Sequence, residues 1–315
     1  MTVLATRTDC DARRPRPAGT AAASAAGTGS GTVPRHHHAH ELSREVALRA
    51  VRSLYHELAL YPKPGLVSFV DNGSHTDMNA ATFMRSLFAL RHYFARICKA
   101  GYDGAPFAVL KNLGVAAEQR MMAATKGINT HRGAIFALGL LCAAVGRVRA
   151  LQMTLTPAAL RTALLLHWGE ELAAHTHATG DSHGLQAAAQ HAASGAREEG
   201  ALGLPSVFDV GLPALQAALA RGAPMLHARV DAIFALMAHI SDTNVYHRGG
   251  ADGADTVRRH ASRFMEQGGT ANAQWKVLAL ASHQRFTALR LSPGGAADLL
   301  AATCLVHSLT TMPPP

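Results

Sequence analysis

From Glu41 onward, apolar positions recur every three or four residues, the period of helices that bury one face. Val46, Ala50, Leu54 and Leu58 form one such stripe, which Pro62 and Pro64 end because proline lacks a backbone N–H. Asn79 is placed to cap a second helix carrying Phe83, Leu87, Leu90, Phe94 and Ile97 on one side. Ile135, Leu138, Leu141, Cys142 and Val145 mark another after Thr130. Thr156-Pro157 and Ser292-Pro293 each read as a cap followed by proline in the first turn. Further helices are predicted over about 184–198, 213–221, 224–240, 253–267, 271–289 and 294–310. No stretch alternates with period two between hairpin turns, and no repeat of fixed period recurs. The pattern predicts an all-α protein: a single compact domain of about ten helices over 41–315.

Residues 1–40 break the pattern. They are Ala, Gly, Thr, Ser, Pro and Arg in no periodic order, which predicts a disordered low-complexity tail. His36, His37, His38 and His40 lie there without a shell to orient them as metal ligands. In the whole chain of 315 residues, 48% are hydrophobic and 16% charged, a globular balance. The formal charge of +9 is dispersed, with no Lys/Arg run interleaved with aromatics, so nucleic acid is not expected as a partner. Cys98, Cys142 and Cys304 fall within apolar helical patterns, and with Cys10 they form no CxxC pair; reduced thiols in a cytoplasmic protein are expected. No uninterrupted apolar run reaches the ~18 residues of a membrane span, and no signal core is present.

Five polar segments interrupt the helices. The first is Pro62-Lys63-Pro64-Gly65 followed by Asp71, His75 and Asp77, where the aspartates are hard ligands suited to Mg²⁺. The second, His131-Arg132 at a predicted helix start, has the makings of a phosphate site. The third gathers His175, His177, Asp181 and His183 and runs on to Glu199, in a spacing that fits no zinc template. The fourth, Asp242 and Asn244 followed by Arg248-Gly249-Gly250, combines groups for a ribose or metal with a phosphate clamp. The fifth is Gly294-Gly295 with Asp298, again at a helix start. Each segment taken alone is equally well a capped or hydrated interhelix connection. None is a Walker loop or a dinucleotide fingerprint.

In this order the strings PKPGLVSFVDNGSHTDM, GINTHRGAIFALGLL, GAREEGALGLPSV, DTNVYHRGG and LSPGGAADLLA resemble the triphosphoribosyl-dephospho-CoA synthase family, over roughly residues 43–310. Arg132 stands where the family usually has lysine, Glu198 where glycine is common, Leu204 where phenylalanine is common and Ala296 where serine is common. The resemblance implies a helical enzyme that joins the triphosphoribosyl group of ATP to the 2′-hydroxyl of 3′-dephospho-CoA and releases adenine. A downstream holo-acyl-carrier-protein synthase then attaches the product to the acyl carrier subunit of malonate decarboxylase or citrate lyase; the overall pattern leans towards malonate decarboxylase.

Such a reaction is glycosyl transfer, and the implied inversion at C1′ places an acid and a base on opposite faces of the ribose, as in inverting glycosidases. A carboxylate is the natural base. The candidates are Asp77, Asp242 and Glu199, in that order, with His75 as a further catalytic group. Lys63, His131, Arg132, Asn244, Arg248, Gly249, Gly250, Gly294 and Gly295 are the expected substrate and phosphate contacts. Asp71, Asp77 and Asp298 are the expected Mg²⁺ ligands. Two other readings remain: an N-glycosidic hydrolase of ATP or ADP-ribose-type nucleotides, and a non-catalytic nucleotide-binding regulator. The sequence leaves the oligomeric state open.

Overall fold

The computed structural model describes residues 35–177 and 195–311. Every described element is helical, and no strand occurs among the described residues. The helices are α1 (Arg35–Leu58), α2 (Ala80–Tyr102), α3 (Phe107–Thr125), α4 (Arg132–Ala150) and α5 (Pro157–His177). They continue with α6 (Gly195–Ala201). A π-helical turn (Ser206–Gly211) leads into α7 (Leu212–Ala220), then α8 (Met225–His239), α9 (Thr243–Glu266), α10 (Trp275–Ala288) and α11 (Gly294–Thr310).

The core is built around α4 and α11. Ile135, Leu138, Leu141, Cys142 and Val145 are all buried, and so are Leu300, Leu305, Val306 and Leu309. A helix that is apolar all round belongs in an interior. Helix α4 packs against α2, α5 and α11, and α1 lies against both α2 and α11. The α2–α4 contact is backbone to backbone: a Cβ on Gly146 would lie 2.1 Å from the Cys98 carbonyl oxygen, so only glycine permits this approach. Helices α7 and α8 pair, and α8 carries α9 on another side.

Several predicted boundaries hold for the expected reason. Asn79 accepts the Thr82 N–H at 3.0 Å and closes a capping box, and Thr156 Oγ1 accepts the Ala159 N–H at 3.1 Å. Cys98, Cys142 and Cys304 are buried free thiols. Others shift. Helix α1 begins at Arg35, so residues 35–40 belong to a helix rather than to the irregular tail; residues 1–34 lie outside the described residues. Helix α3 was not marked by periodicity because its buried stripe, Phe107, Leu110, Ala117 and Met121, is thin. Helix α9 starts ten residues before the expected 253, at Thr243, and passes through a break at Gly250, whose φ of 61° is left-handed. The run Gly249-Gly250 reads as a loop, yet it is a kink within one long element. Helix α11 is preceded by Pro293 and has no side-chain cap; the Ser292 hydroxyl is turned elsewhere. Helix α4 does meet the length and apolarity of a membrane span, contrary to the expectation from uninterrupted runs, and it is spent on the core.

Candidate functional site

The 61–78 connection is pinned before it reaches the site. Asp71 Oδ1 accepts the Gly73 N–H at 2.9 Å, and Asp71 Oδ2 faces His283 Nε2 at 3.2 Å. His283 Nδ1 in turn lies 3.3 Å from both the Gly65 N–H nitrogen and the Lys63 carbonyl oxygen. Ser74 Oγ donates to the Leu291 carbonyl at 2.6 Å. Gly65 has φ +72°, and a Cβ there would strike the Leu291 carbonyl oxygen at 2.2 Å. The loop is thereby fastened to the α10–α11 connection, and Lys63 and His75 are delivered to one cavity.

That cavity encloses about 370 Å³. The N-terminal ends of three helices meet on its wall: His131 and Arg132 of α4, Thr243 and Asn244 of α9, Gly294 and Gly295 of α11. The helix dipoles make such ends attractive to anions. Lys63, Arg132 and Arg248 add three cationic side chains. Lys63 is 1% exposed and its ammonium pairs with Glu57. Burial holds the Lys63 pKa below its ordinary value, while the Glu57 and Asp71 carboxylates work against that fall. Arg132 donates Nε to Glu118 at 2.7 Å and is more than half exposed. Arg248 Nη2 donates to His75 Nδ1 at 3.1 Å. Since arginine cannot accept, His75 is neutral with its proton on Nε2, and it donates to Ser292 Oγ at 2.8 Å. Burial and Arg248 hold its pKa low, against the pull of Asp77.

His131 is 2% exposed, with Nδ1 2.6 Å from Ser86 Oγ. Its Nε2 is buried without a partner, and so is Thr130 Oγ1. Both residues line the cavity. A buried polar atom left unpaired costs free energy, and these two atoms have hydrogen-bonding capacity that no protein group uses. Burial and the Lys63 charge bring the His131 pKa down to about 3, so its imidazole is neutral.

A second cavity of about 260 Å³ adjoins the first. Gly133, Thr243, Gly295 and Asp298 line both. Its other walls include apolar Ala137, Leu202, Leu204 and Leu299, together with Glu199 and Asp242. Glu199 accepts the Ser206 hydroxyl at 2.5 Å and the Ser206 N–H at 3.2 Å; burial raises its pKa, and these hydrogen bonds oppose the rise. Asp242 is 6% exposed and accepts the N–H groups of Asn244 at 2.9 Å and Ala296 at 3.1 Å. Its pKa is raised by burial against those donors. Asp298 is the carboxyl between the two cavities. A Cβ on Gly133 would lie 2.3 Å from Asp298 Oδ2, so the start of α4 can approach this carboxyl only as glycine. Burial, then the charges of Glu57 and Asp242, push the Asp298 pKa well above the ordinary range, with the Ala134 N–H opposing.

The structure thus gathers Lys63, His75, His131, Arg132, Asn244, Arg248, Gly294, Gly295 and Asp298 around one cavity, and Glu199 and Asp242 around its neighbour. Asp71 and Asp77 line neither. Asp71 is spent on His283 and Gly73, and Asp77, 56% exposed, faces His75 Nδ1 at 3.4 Å. Gly249 packs against Leu291 and Gly250 shapes the α9 kink; neither lines a cavity. Of the third polar segment, Asp181 and His183 fall outside the described residues, and His175 and His177 end α5. Among the described residues, no group of three or more His, Cys, Asp or Glu side chains is arranged to hold a metal ion.

Sequence reasoning misses Glu57, and it places Thr130 and Ser292 within the polar segments only as helix caps. Glu57 carried a usable signal: it lies three residues after Leu54, on a stripe that is otherwise apolar. Ser292 was read as a helix cap because the Ser-Pro spacing is right for one.

A family model described as ATP:dephospho-CoA triphosphoribosyl transferase matches residues 43–313. A protein of Acinetobacter calcoaceticus named "Probable 2-(5''-triphosphoribosyl)-3'-dephosphocoenzyme-A synthase" is 39% identical over 279 residues, covering 86% of this chain and 94% of the relative. One of Pectobacterium atrosepticum, named as the synthase without that qualifier, is 38% identical over 275 residues, covering 85% of this chain and 90% of its own. A Vibrio cholerae relative, also named a probable synthase, is 36% identical over 281 residues, with 86% and 90% covered. No solved structure matches the chain.

Proposed function

The chain belongs to the ATP:dephospho-CoA triphosphoribosyl transferase family, and on that premise we propose that it transfers the 5-triphosphoribosyl group of ATP to the 2′-hydroxyl of 3′-dephospho-CoA, with release of adenine. The observation that carries this reading is the pair of adjoining cavities. One is lined by three cations and three helix N-termini, and across Asp298 it meets a second that holds the carboxylates Glu199 and Asp242.

The triphosphate of ATP takes the cationic cavity, held by Arg248, Arg132 and the α11 start. Mg²⁺ brought with ATP would offset the charge of the triphosphate beside these cations. 3′-Dephospho-CoA presents its 2′-hydroxyl from the second cavity. Breaking the bond from C1′ of ribose to adenine leaves the electron pair on the base, which needs a proton. Asp298, whose carboxyl pKa is held well above the ordinary range by burial, stands at the junction and supplies it. Glu199, whose raised pKa leaves it a better base than an ordinary carboxylate, takes the proton of the attacking hydroxyl. An acid and a base in different environments, on opposite sides of the reacting carbon, are what inversion requires. Asp242 stabilises positive charge building on the ribose and fixes the two helix starts. His131 and Thr130 receive polar groups of the substrate. Malonate decarboxylase is the proposed client of the product, on the overall pattern of the sequence.

The test is direct. Purified protein with ATP, Mg²⁺ and 3′-dephospho-CoA is expected to release adenine and form the triphosphoribosyl adduct, observed by mass, only when both substrates are present. Adenine released without the acceptor means a hydrolase, and no adenine from folded protein means a binding protein.

A further inference from the structure

Away from this site, a third cavity of about 300 Å³ lies among α1, α7, α8 and α11. It shares no lining residue with the other two. Three arginines, Arg49, Arg52 and Arg229, and two histidines, His56 and His307, line it, and no aspartate or glutamate does.

The cations are unequally committed. Arg49 is paired with Glu45 at 2.9 Å and donates to the Ser308 carbonyl at 2.9 Å. Arg229 donates to the weakly accepting Cys304 sulfur, while its Nε is buried without a partner. His307 Nδ1 is likewise buried and unpartnered. A guanidinium drawn in from water with no carboxylate to balance it is an expensive arrangement unless something else supplies the charge. The positive potential is felt by its neighbours: burial first, then Arg229, holds both His56 and His307 below the ordinary imidazole pKa. Both imidazoles are therefore available as neutral hydrogen-bonding groups beside fixed cations.

The geometry points to a second anion site here, which takes a small ligand bearing two or more negative charges, of the diphosphate or dicarboxylate class. Guanidinium forks match phosphate and carboxylate oxygens equally well. The unpartnered Nε of Arg229 and Nδ1 of His307 supply hydrogen bonds that no protein group now uses. The site is also wired to the first by shared helices. Helix α1 presents Glu57 to the cationic cavity and Ser53 and His56 to this one; α11 presents Asp298 to the first and Cys304 and His307 to the second. An occupant is thus placed to act on turnover without meeting substrate.

Binding of inorganic pyrophosphate and, separately, of succinate to the full-length protein by titration calorimetry tests this. Pyrophosphate also suits the cationic cavity, so wild type is compared with Arg248→Ala, Arg52→Gln and Arg229→Gln. The expected result is a binding event that survives Arg248→Ala and weakens roughly tenfold or more in Arg52→Gln and Arg229→Gln. Arg52 is exposed, so its variant folds even if Arg229→Gln does not. Succinate binding with the same losses assigns a carboxylate ligand; pyrophosphate alone assigns a phosphate one. The inference is overturned if Arg52→Gln binds both probes as wild type does, or if Arg248→Ala removes all binding.

Discussion

Asp242 and Ala296 are 54 positions apart, and the carboxylate of the first accepts the N–H of the second at 3.1 Å. The same carboxylate caps α9 through Asn244, so one side chain joins the N-termini of two helices that both form the site. Asp242→Ala leaves the buried Ala296 N–H and the Asn244 N–H without their acceptor and is expected to cost about 1–3 kcal/mol of stability. Urea unfolding measures it, and a variant as stable as wild type would show that the bridge contributes nothing.

Asp298 offers a test that separates chemistry from packing. Asp298→Asn keeps the shape and removes the proton donor, and a loss in kcat of at least about 10²-fold is expected. The stability effect has a definite sign. With the folded pKa raised, the native protein holds a proton that the unfolded chain has released, so the contribution is full below the ordinary aspartate pKa and is lost as pH rises towards the folded one. Wild-type stability relative to Asp298→Asn should therefore fall with rising pH above ~4, by up to ~1.4 kcal/mol per unit. Paired unfolding curves at pH 5 and 7.5 check the direction; a constant difference would mean that Asp298 is ionised in the folded state.

Much of the fold is legible in the sequence because the stripe Val46-Ala50-Leu54-Leu58 and the Asn79 cap are local signals. The site is legible as segments and illegible as roles. Asp71, His75 and Asp77 sit within seven residues and look like one metal cluster, yet Asp71 turns to His283 and His75 to Ser292, partners more than two hundred positions away. The reverse happened to Asp298. At the start of α11 it looks like a residue that complements the helix dipole, and only the fold buries it and brings Glu57 and Asp242 close enough to raise its pKa.

Asp77 ranked first as a base from its motif, and its exposure now argues for a smaller part. Asp77→Asn is expected to retain turnover within about tenfold of wild type, against the much larger loss for Asp298→Asn. Measured side by side, equal losses would return Asp77 to the reacting centre.

Arg248 and His75 form a coupled pair. Arg248→Ala removes a triphosphate contact and is expected to raise the KM for ATP by about tenfold or more, with kcat less affected. His75→Ala frees the guanidinium from its acceptor and should give a similar, smaller change. If the two act as one unit, the double variant is no worse than Arg248→Ala, whereas additive losses would show independent roles.

The Glu57–Lys63 pair ties stability to the proton on Asp298. Removing Glu57 alone strands a buried ammonium, so Glu57→Gln is expected to cost about 3–5 kcal/mol, and Lys63→Met in the same chain should recover part of it. The pH dependence follows from the directions of two shifts. Lys63 already has a lowered folded pKa and loses the group that opposed the fall; native protein then sheds its proton at lower pH than the unfolded chain does, and stability rises with pH through that window. Asp298, in turn, loses one of the charges that raised its pKa, so it releases its proton earlier as pH rises. With Asp298 as the acid, the alkaline limb of the kcat profile must move to lower pH in Glu57→Gln. A profile that keeps its alkaline limb, measured on enzyme still folded at each pH, would detach the acid from Asp298 even if the activity itself is confirmed.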